Sequence, residues 1–270
     1  LRPDGRVYEI VDGRTGVRWQ SHPESAAFGP VTVEKGDRRA AMALGGYDAV
    51  RKRGSRLELV RRLSLSDGTD TGVTLTIFVE RLSVPAGFRL AYETHGESGG
   101  WRVTSLRVLD RAFGVTDGDD GYAVLPFRMG EMADTRSGLP ETRRFLTYGG
   151  ASLALYGAVK RGSGLLVAWS HPDVLLEVYT TWPDHPEIPG RLMHSAGLTL
   201  SEGARSVDLA PTGRGGYVAI AKAYRPLARR NGWLKPWAEK AREYPSVRRL
   251  FGCADFKPFR FSQHRHIIIN

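Results

Sequence analysis

Cysteine is all but absent: Cys253 is the only one in 270 residues. No internal disulfide can form, which excludes the disulfide-stapled scaffolds. Long apolar runs are missing too. No stretch approaches the ~18 apolar residues that a membrane-spanning helix needs, so no membrane partner is expected. The sequence has no His-Glu-x-x-His helix, no phosphate-binding P-loop and no Gly-x-Ser-x-Gly elbow. His264 and His266 form the one close histidine pair. Two ligands do not make a zinc site, and no metal or other cofactor is expected.

Acidic residues are in the minority, 29 against 39 Lys and Arg, for a net charge of +10. The surplus is concentrated. Residues 222–250 carry a net +7 and residues 35–62 a net +6, leaving the remainder slightly acidic. Such runs are the electrostatic footprint of a phosphate-binding face or of a solvated one. No zinc-finger, RNP-type or KH-type motif accompanies them, so no nucleic-acid partner is expected.

Glycine is plentiful, 32 residues, or about 12% against an average near 7%. Without a repeat period, this means many tight turns and hence many strands. Residues 7–11 and 17–19 flank Asp12-Gly13 as a hairpin. Val73–Val79 alternates apolar and polar residues with period two, the mark of a half-buried antiparallel strand. Further strands are expected at Leu57–Val60, Leu63–Leu65, Phe88–Tyr92, Trp101–Leu109, Tyr122–Leu125, Phe145–Tyr148, Ser152–Val159, Gly164–Trp169, Val174–Thr180, Leu198–Leu200 and Ser206–Leu209. In Trp101–Leu109 the alternation puts Val103 on one face and Leu106 and Val108 on the other. No helices alternate with these strands, which argues against a parallel α/β sheet. A large antiparallel two-sheet sandwich fits the first 213 residues.

The pattern changes at Gly215-Gly216. Tyr217, Ile220, Tyr224 and Leu227 fall at helical spacing. Pro226 should kink or split this helix, and Asn231-Gly232 should stop it. Pro236 and Pro245 suit the starts of two more short helices. Tyr217, Ile220, Tyr224, Leu227, Trp233, Trp237, Val247 and Leu250 are expected to be buried. The expected organisation is a sandwich over 1–213 and packed linker helices over 214–256. Over 257–270 comes the approach to a further element, because Ile267-Ile268-Ile269 reads as a buried strand. The chain is therefore expected to be part of a longer protein.

Candidate binding residues fall in the constrained loop Thr180–Ser195. Trp182 is suited to stack on a sugar ring. Asp184, His185, Glu187, Arg191 and His194 are suited to bond its hydroxyls. Arg128–Met132 forms a second polar loop. Asp117-Gly118-Asp119-Asp120 reads as a turn or a weak calcium-like loop. Glycoside hydrolysis requires two carboxylates at a fixed separation, and the sequence singles out no such pair.

The tail carries a family resemblance. Its elements are Ala221-Lys222-x-Tyr224-Arg225, Gly232-Trp233-Leu234, Glu239-Lys240, Pro245-x-Val247 and Leu250-x-Gly252. This resembles the segment that joins the N-terminal β-supersandwich to the catalytic barrel in endo-α-N-acetylgalactosaminidases and related glycoside hydrolases. Asp12-Gly13-x-Thr15-Gly16 with Trp19 is similar to the opening strands of that supersandwich, itself galactose mutarotase-like. The resemblance implies a non-catalytic module bracing a (β/α)8 barrel that carries the catalytic carboxylates. It implies this barrel and a glycan as partners, and a secreted or periplasmic setting. A stand-alone aldose mutarotase-like enzyme, with His95, His171 or His194 in its chemistry, stays open as an alternative, as does a carbohydrate-binding or structural module.

Overall fold

The computed structural model describes residues 9–23, 25, 28–116, 118–127, 130–134, 143–146, 152–171, 174–179, 192–201, 205–250, 259–260 and 267–268. The strands begin with β1 Glu9–Val11, β2 Arg18–Gln20, β3 Phe28–Lys35, β4 Arg38–Met42, β5 Ala49–Arg53 and β6 Arg56–Ser64. Next come β7 Asp70–Ser83, β8 Ala86–His95, β9 Arg102–Thr116, β10 Gly121–Leu125, β11 Glu131–Asp134 and β12 Arg143–Leu146. The series continues with β13 Leu155–Lys160, β14 Ser163–Trp169, β15 Val174–Tyr179, β16 Leu192–Ser201 and β17 Ser206–Arg214. Helices α1 Gly216–Arg230 and α2 Trp237–Glu243 follow, then the short pair β18 Phe259–Arg260 and β19 Ile267–Ile268. The chain divides into two compact units, 1–227 and 228–270.

The first unit is the antiparallel sandwich expected from the sequence. A nine-stranded sheet runs β11-β10-β13-β14-β17-β8-β7-β6-β5, and a six-stranded sheet runs β12-β15-β16-β9-β3-β4. The hairpin β1-β2 forms where expected, with Ile10 opposite Trp19. In β7, Val73, Leu75 and Ile77 are buried at every second position, as the period-two pattern requires, and Thr76 and Phe78 on the other face are buried as well. Strands β9 and β16 of the smaller sheet lie against β10 and β13 of the larger.

Two local departures have clear causes. Val103, Leu106 and Val108 are all buried, although simple alternation puts Val103 opposite the other two. The β3–β9 register shifts between Thr32 and Val33, whose partners are Ser105 and Val103. This bulge inserts one residue and resets the faces of the strand. The sequence also gave no strand signal over residues 28–53, where β3, β4 and β5 form. Their basic residues obscured the pattern. Strands β4 and β5 are sheet edges, and exposed Arg38, Arg39, Arg51, Lys52 and Arg53 discourage edge-to-edge pairing there.

Strands β13 and β14 are buried along their whole length. On one face, α1 sets Ile220 over two glycines. A Cβ on Gly157 would meet Ile220 Cδ1 at 2.8 Å, and one on Gly164 would meet Thr212 Oγ1 at 2.5 Å and Ile220 Cγ1 at 2.8 Å. The alternate positions Tyr156, Ala158 and Lys160 point to the opposite face. Tyr224 is buried, and its hydroxyl accepts a hydrogen bond from the Ala154 amide at 3.3 Å.

Of the two expected effects of Pro226, a kink or a split, the split does not occur: α1 is one helix through Pro226. It ends at Gly232, whose φ of +73° suits a glycine stop. Ile220, Tyr224 and Leu227 are buried as expected, but Tyr217 is 51% exposed and Trp237 53%. Tyr217 lies in the first turn, before the helix settles on the sheet, and its amide donates to Tyr122 Oη at 3.2 Å. Trp237 opens a helix that buries only Ala241, and the Lys240 ammonium covers its ring at 5.6 Å. Trp233 and Val247 are half-buried. The Leu250 side chain lies outside the described residues.

Ile220→Ala should destabilise the chain by about 2–5 kcal/mol, and Gly164→Ala by about 1–3 kcal/mol through overpacking. Because the added methyl would occupy space that Ile220 now fills, the double variant should lose less than the sum. Urea unfolding of the four proteins measures this coupling.

Candidate functional site

A concave site lies where several strand ends meet. It is a cleft of about 460 Å³ lined by the β1–β2 loop and the ends of β9, β13 and β17. Its floor is built around an ion pair between buried Lys160 and half-buried Asp119. Lys160, the last inward-facing residue of β13, sets its Nζ 3.0 Å from Asp119 Oδ2. The same oxygen accepts hydrogen bonds from the Thr116 amide at 2.8 Å and the Thr116 hydroxyl at 2.7 Å. Burial by itself would raise the Asp119 pKa. The Lys160 charge and the Thr116 donors outweigh it and hold the carboxyl below the usual value of 3.8.

The β1–β2 loop closes one side of the cleft. Buried Asp12 accepts from the Arg14 amide at 3.0 Å and Arg14 Nε at 3.2 Å. Arg14 Nη2 donates to the Pro211 carbonyl at 2.6 Å, and Thr15 Oγ1 meets Ser163 Oγ at 3.0 Å. These bonds fasten the loop across β14 and β17. Burial by itself would raise the Asp12 pKa, but the Arg14 and Thr15 contacts hold it below the usual 3.8.

Four cations line the cleft: Arg18, Lys160, Arg161 and Arg214. Arg18 pairs with both Glu9 carboxylate oxygens at 2.9 and 3.0 Å, and Lys160 pairs with Asp119. A second cleft, about 490 Å³, holds Arg38, Asp70 and Trp101. Two of its charges are paired: Arg38 reaches Asp67 at 3.9 Å and lies over the Trp101 ring, and Asp70 binds Arg62; Lys35 also lines it.

Most of the loop selected from the sequence lies outside the described residues. Trp182, Asp184, His185, Glu187 and Arg191 lie outside the described residues, as do Arg128 and Met129. His194 is in β16 opposite Val115, but its side chain is not described. Of the possible mutarotase histidines, His95 is exposed beside Glu93 at 3.8 Å, and neither it nor His171 lines the first cleft. Asp119, a turn or weak calcium-loop residue by its sequence, has its Oδ2 engaged by Lys160 and Thr116. No group of three or more metal-ligating side chains occurs among the described residues. Sequence reasoning missed the cleft because Lys160, Arg161-Gly162 and Arg214 read as an ordinary strand end and turn. A lysine at an inward-facing strand position was the one available signal.

These features define an antiparallel β-supersandwich domain with a cationic cleft at its strand ends. No family model matches the chain, and no curated protein matches it in sequence. Solved structures do match its fold. The α-N-acetylgalactosaminidase NagBb of Bifidobacterium bifidum, in its GalNAc complex, superposes over 87% of this chain with a TM-score of 0.63 and 17% identity. Its Gal-NHAc-DNJ complex gives 90%, 0.60 and 19%. The chain spans only 38–40% of the length of NagBb. A galactose mutarotase-like protein of Lactobacillus casei gives a TM-score of 0.46 over 78% of this chain and 95% of its own, at 11% identity. The NagBb likeness is one of fold, and it is the fold expected from the tail residues.

Asp119→Asn should destabilise the protein at neutral pH by about 3–5 kcal/mol, because it leaves the buried Lys160 ammonium without its carboxylate. The pH dependence has a definite sign. A carboxylate whose pKa is lower folded than unfolded adds stability above the unfolded value of 3.8 and loses it as pH falls through the folded value. Denaturant titrations between about pH 5 and pH 2 should therefore show a steeper loss in the parent than in Asp119→Asn.

Proposed function

We propose that the chain is the N-terminal, non-catalytic module of a glycoside hydrolase acting on α-linked N-acetylgalactosamine or related glycans. Its role is to brace a (β/α)8 catalytic barrel. The observation that carries this reading is the superposition over 87% of this chain onto only 38% of an α-N-acetylgalactosaminidase. The tail motif supports it, because the resembling segment joins sandwich to barrel. The electrostatics agree. A general acid for glycoside hydrolysis needs a raised carboxyl pKa. Among the described residues, every carboxyl with a resolved shift, namely Asp12, Asp67, Asp70 and Asp119, is held lower. Each is suited to structural pairing, not to proton donation at neutral pH.

The purified 270-residue chain should not release aryl alcohol from an aryl α-N-acetylgalactosaminide, nor speed galactose mutarotation in a polarimeter. The protein from the full reading frame should cleave the aryl glycoside. Turnover by the isolated chain, lost on replacing one of its own Asp or Glu residues, would overturn the reading.

A further inference from the structure

The first cleft holds more positive charge than its structural pairs use. Glu9 takes Arg18 and Asp119 takes Lys160. Arg161 and Arg214 also line the cleft, both are exposed, and neither has an ion pair among the described residues. They are fixed close together in the fold. Arg214 lies opposite Ser163 across β14–β17, two residues beyond Arg161. The Gly215 and Gly216 amides both donate to the Gly162 carbonyl at 3.0 Å, which ties the end of β17 to the turn that carries Arg161.

That turn gives an independent observation. Arg161 and Gly162 form the two-residue connection between β13 and β14, with φ of +49° and +73°. Such turns favour Asn, Asp or Gly at the first position, because a long side chain is strained at positive φ. An arginine here places strain at the mouth of a cleft, where strained residues tend to serve binding. Its guanidinium offers a planar fork of donors suited to a carboxylate or a sulfate. The Thr15 and Thr116 side chains, also on the cleft wall, add hydroxyls suited to a sugar.

We propose that Arg161 and Arg214 form a subsite for the anionic substituent of an acidic glycan, a carboxylate or a sulfate ester. The anion rests on the two arginines, and the sugar lies toward Thr15 and Thr116. Only the glycan class of the ligand rests on the carbohydrate-module reading; the anion site rests on the cleft itself.

The test is calorimetric and NMR titration of the full 270-residue chain at constant ionic strength. The probes are N-acetylneuraminic acid, N-acetylgalactosamine 6-sulfate, neutral N-acetylgalactosamine and inorganic sulfate. At least one acidic sugar should bind ten-fold or more tightly than the neutral one, and which one does so separates carboxylate from sulfate ester. Arg161→Gly should weaken that binding at least ten-fold while leaving Tm unchanged or raised, because glycine relieves the strained turn. Arg214→Gln should weaken it comparably. Equal binding of neutral and acidic sugars, or parent-like binding by both variants, would overturn the proposal. So would binding of inorganic sulfate alone, or a preference for a single-stranded oligonucleotide with a steep salt slope. These outcomes are independent of glycosidase activity in the full-length protein, so the subsite and the module reading can fail separately.

Discussion

The close approach of α1 to β13 and β14 is the contact on which the surrounding structure depends. Two glycines leave room for Ile220, so these strands are covered on both faces. A sheet covered only by solvent on its outer side would show polar residues there, whereas β13 and β14 are buried throughout. Packing of this kind tolerates little change in volume, because interiors are filled to crystalline density. The turn at Arg161-Gly162 ends β13 and leaves Lys160 as its last inward-facing residue.

The cleft inherits its geometry from that arrangement. Lys160 closes the interior against Asp119, the turn at Arg161-Gly162 follows at once, and the start of α1 is hydrogen-bonded back to that turn. A paired ion at the floor is costly to desolvate and costly to break, so it holds the strand ends in one arrangement more than it adds net stability. Arg161 and Arg214, which have no ion pair among the described residues, sit beside this base, one in the short turn after β13 and the other at the end of β17.

Charge elsewhere follows a different logic. The basic run over residues 35–62 looked like a single electropositive stretch in the sequence. In the fold its residues fall on exposed edge strands and on cross-strand pairs such as Arg56 with Glu80 at 3.2 Å and Arg61 with Asp48 at 2.9 Å. Exposed pairs of this kind contribute little energy. Their larger effect is to keep open sheet edges from recruiting another chain.

By itself the sequence determined the antiparallel sandwich, most strand positions after residue 55, the helical tail and the apolar stripe Ile220, Tyr224 and Leu227. Those features are local: period two, period 3.6 and turn chemistry act over a few residues. It did not determine β3–β5, where edge charges mask the alternation, or the β9 bulge, which depends on pairing with β3. Nor did it show that Tyr217 and Trp237 stay exposed, since burial depends on what stands opposite. The cleft was decided by tertiary structure alone. Thr15, Thr116, Asp119, Lys160, Arg161 and Arg214 are spread over 200 residues of sequence, and only the folding of four separate segments to the same strand ends brings them together.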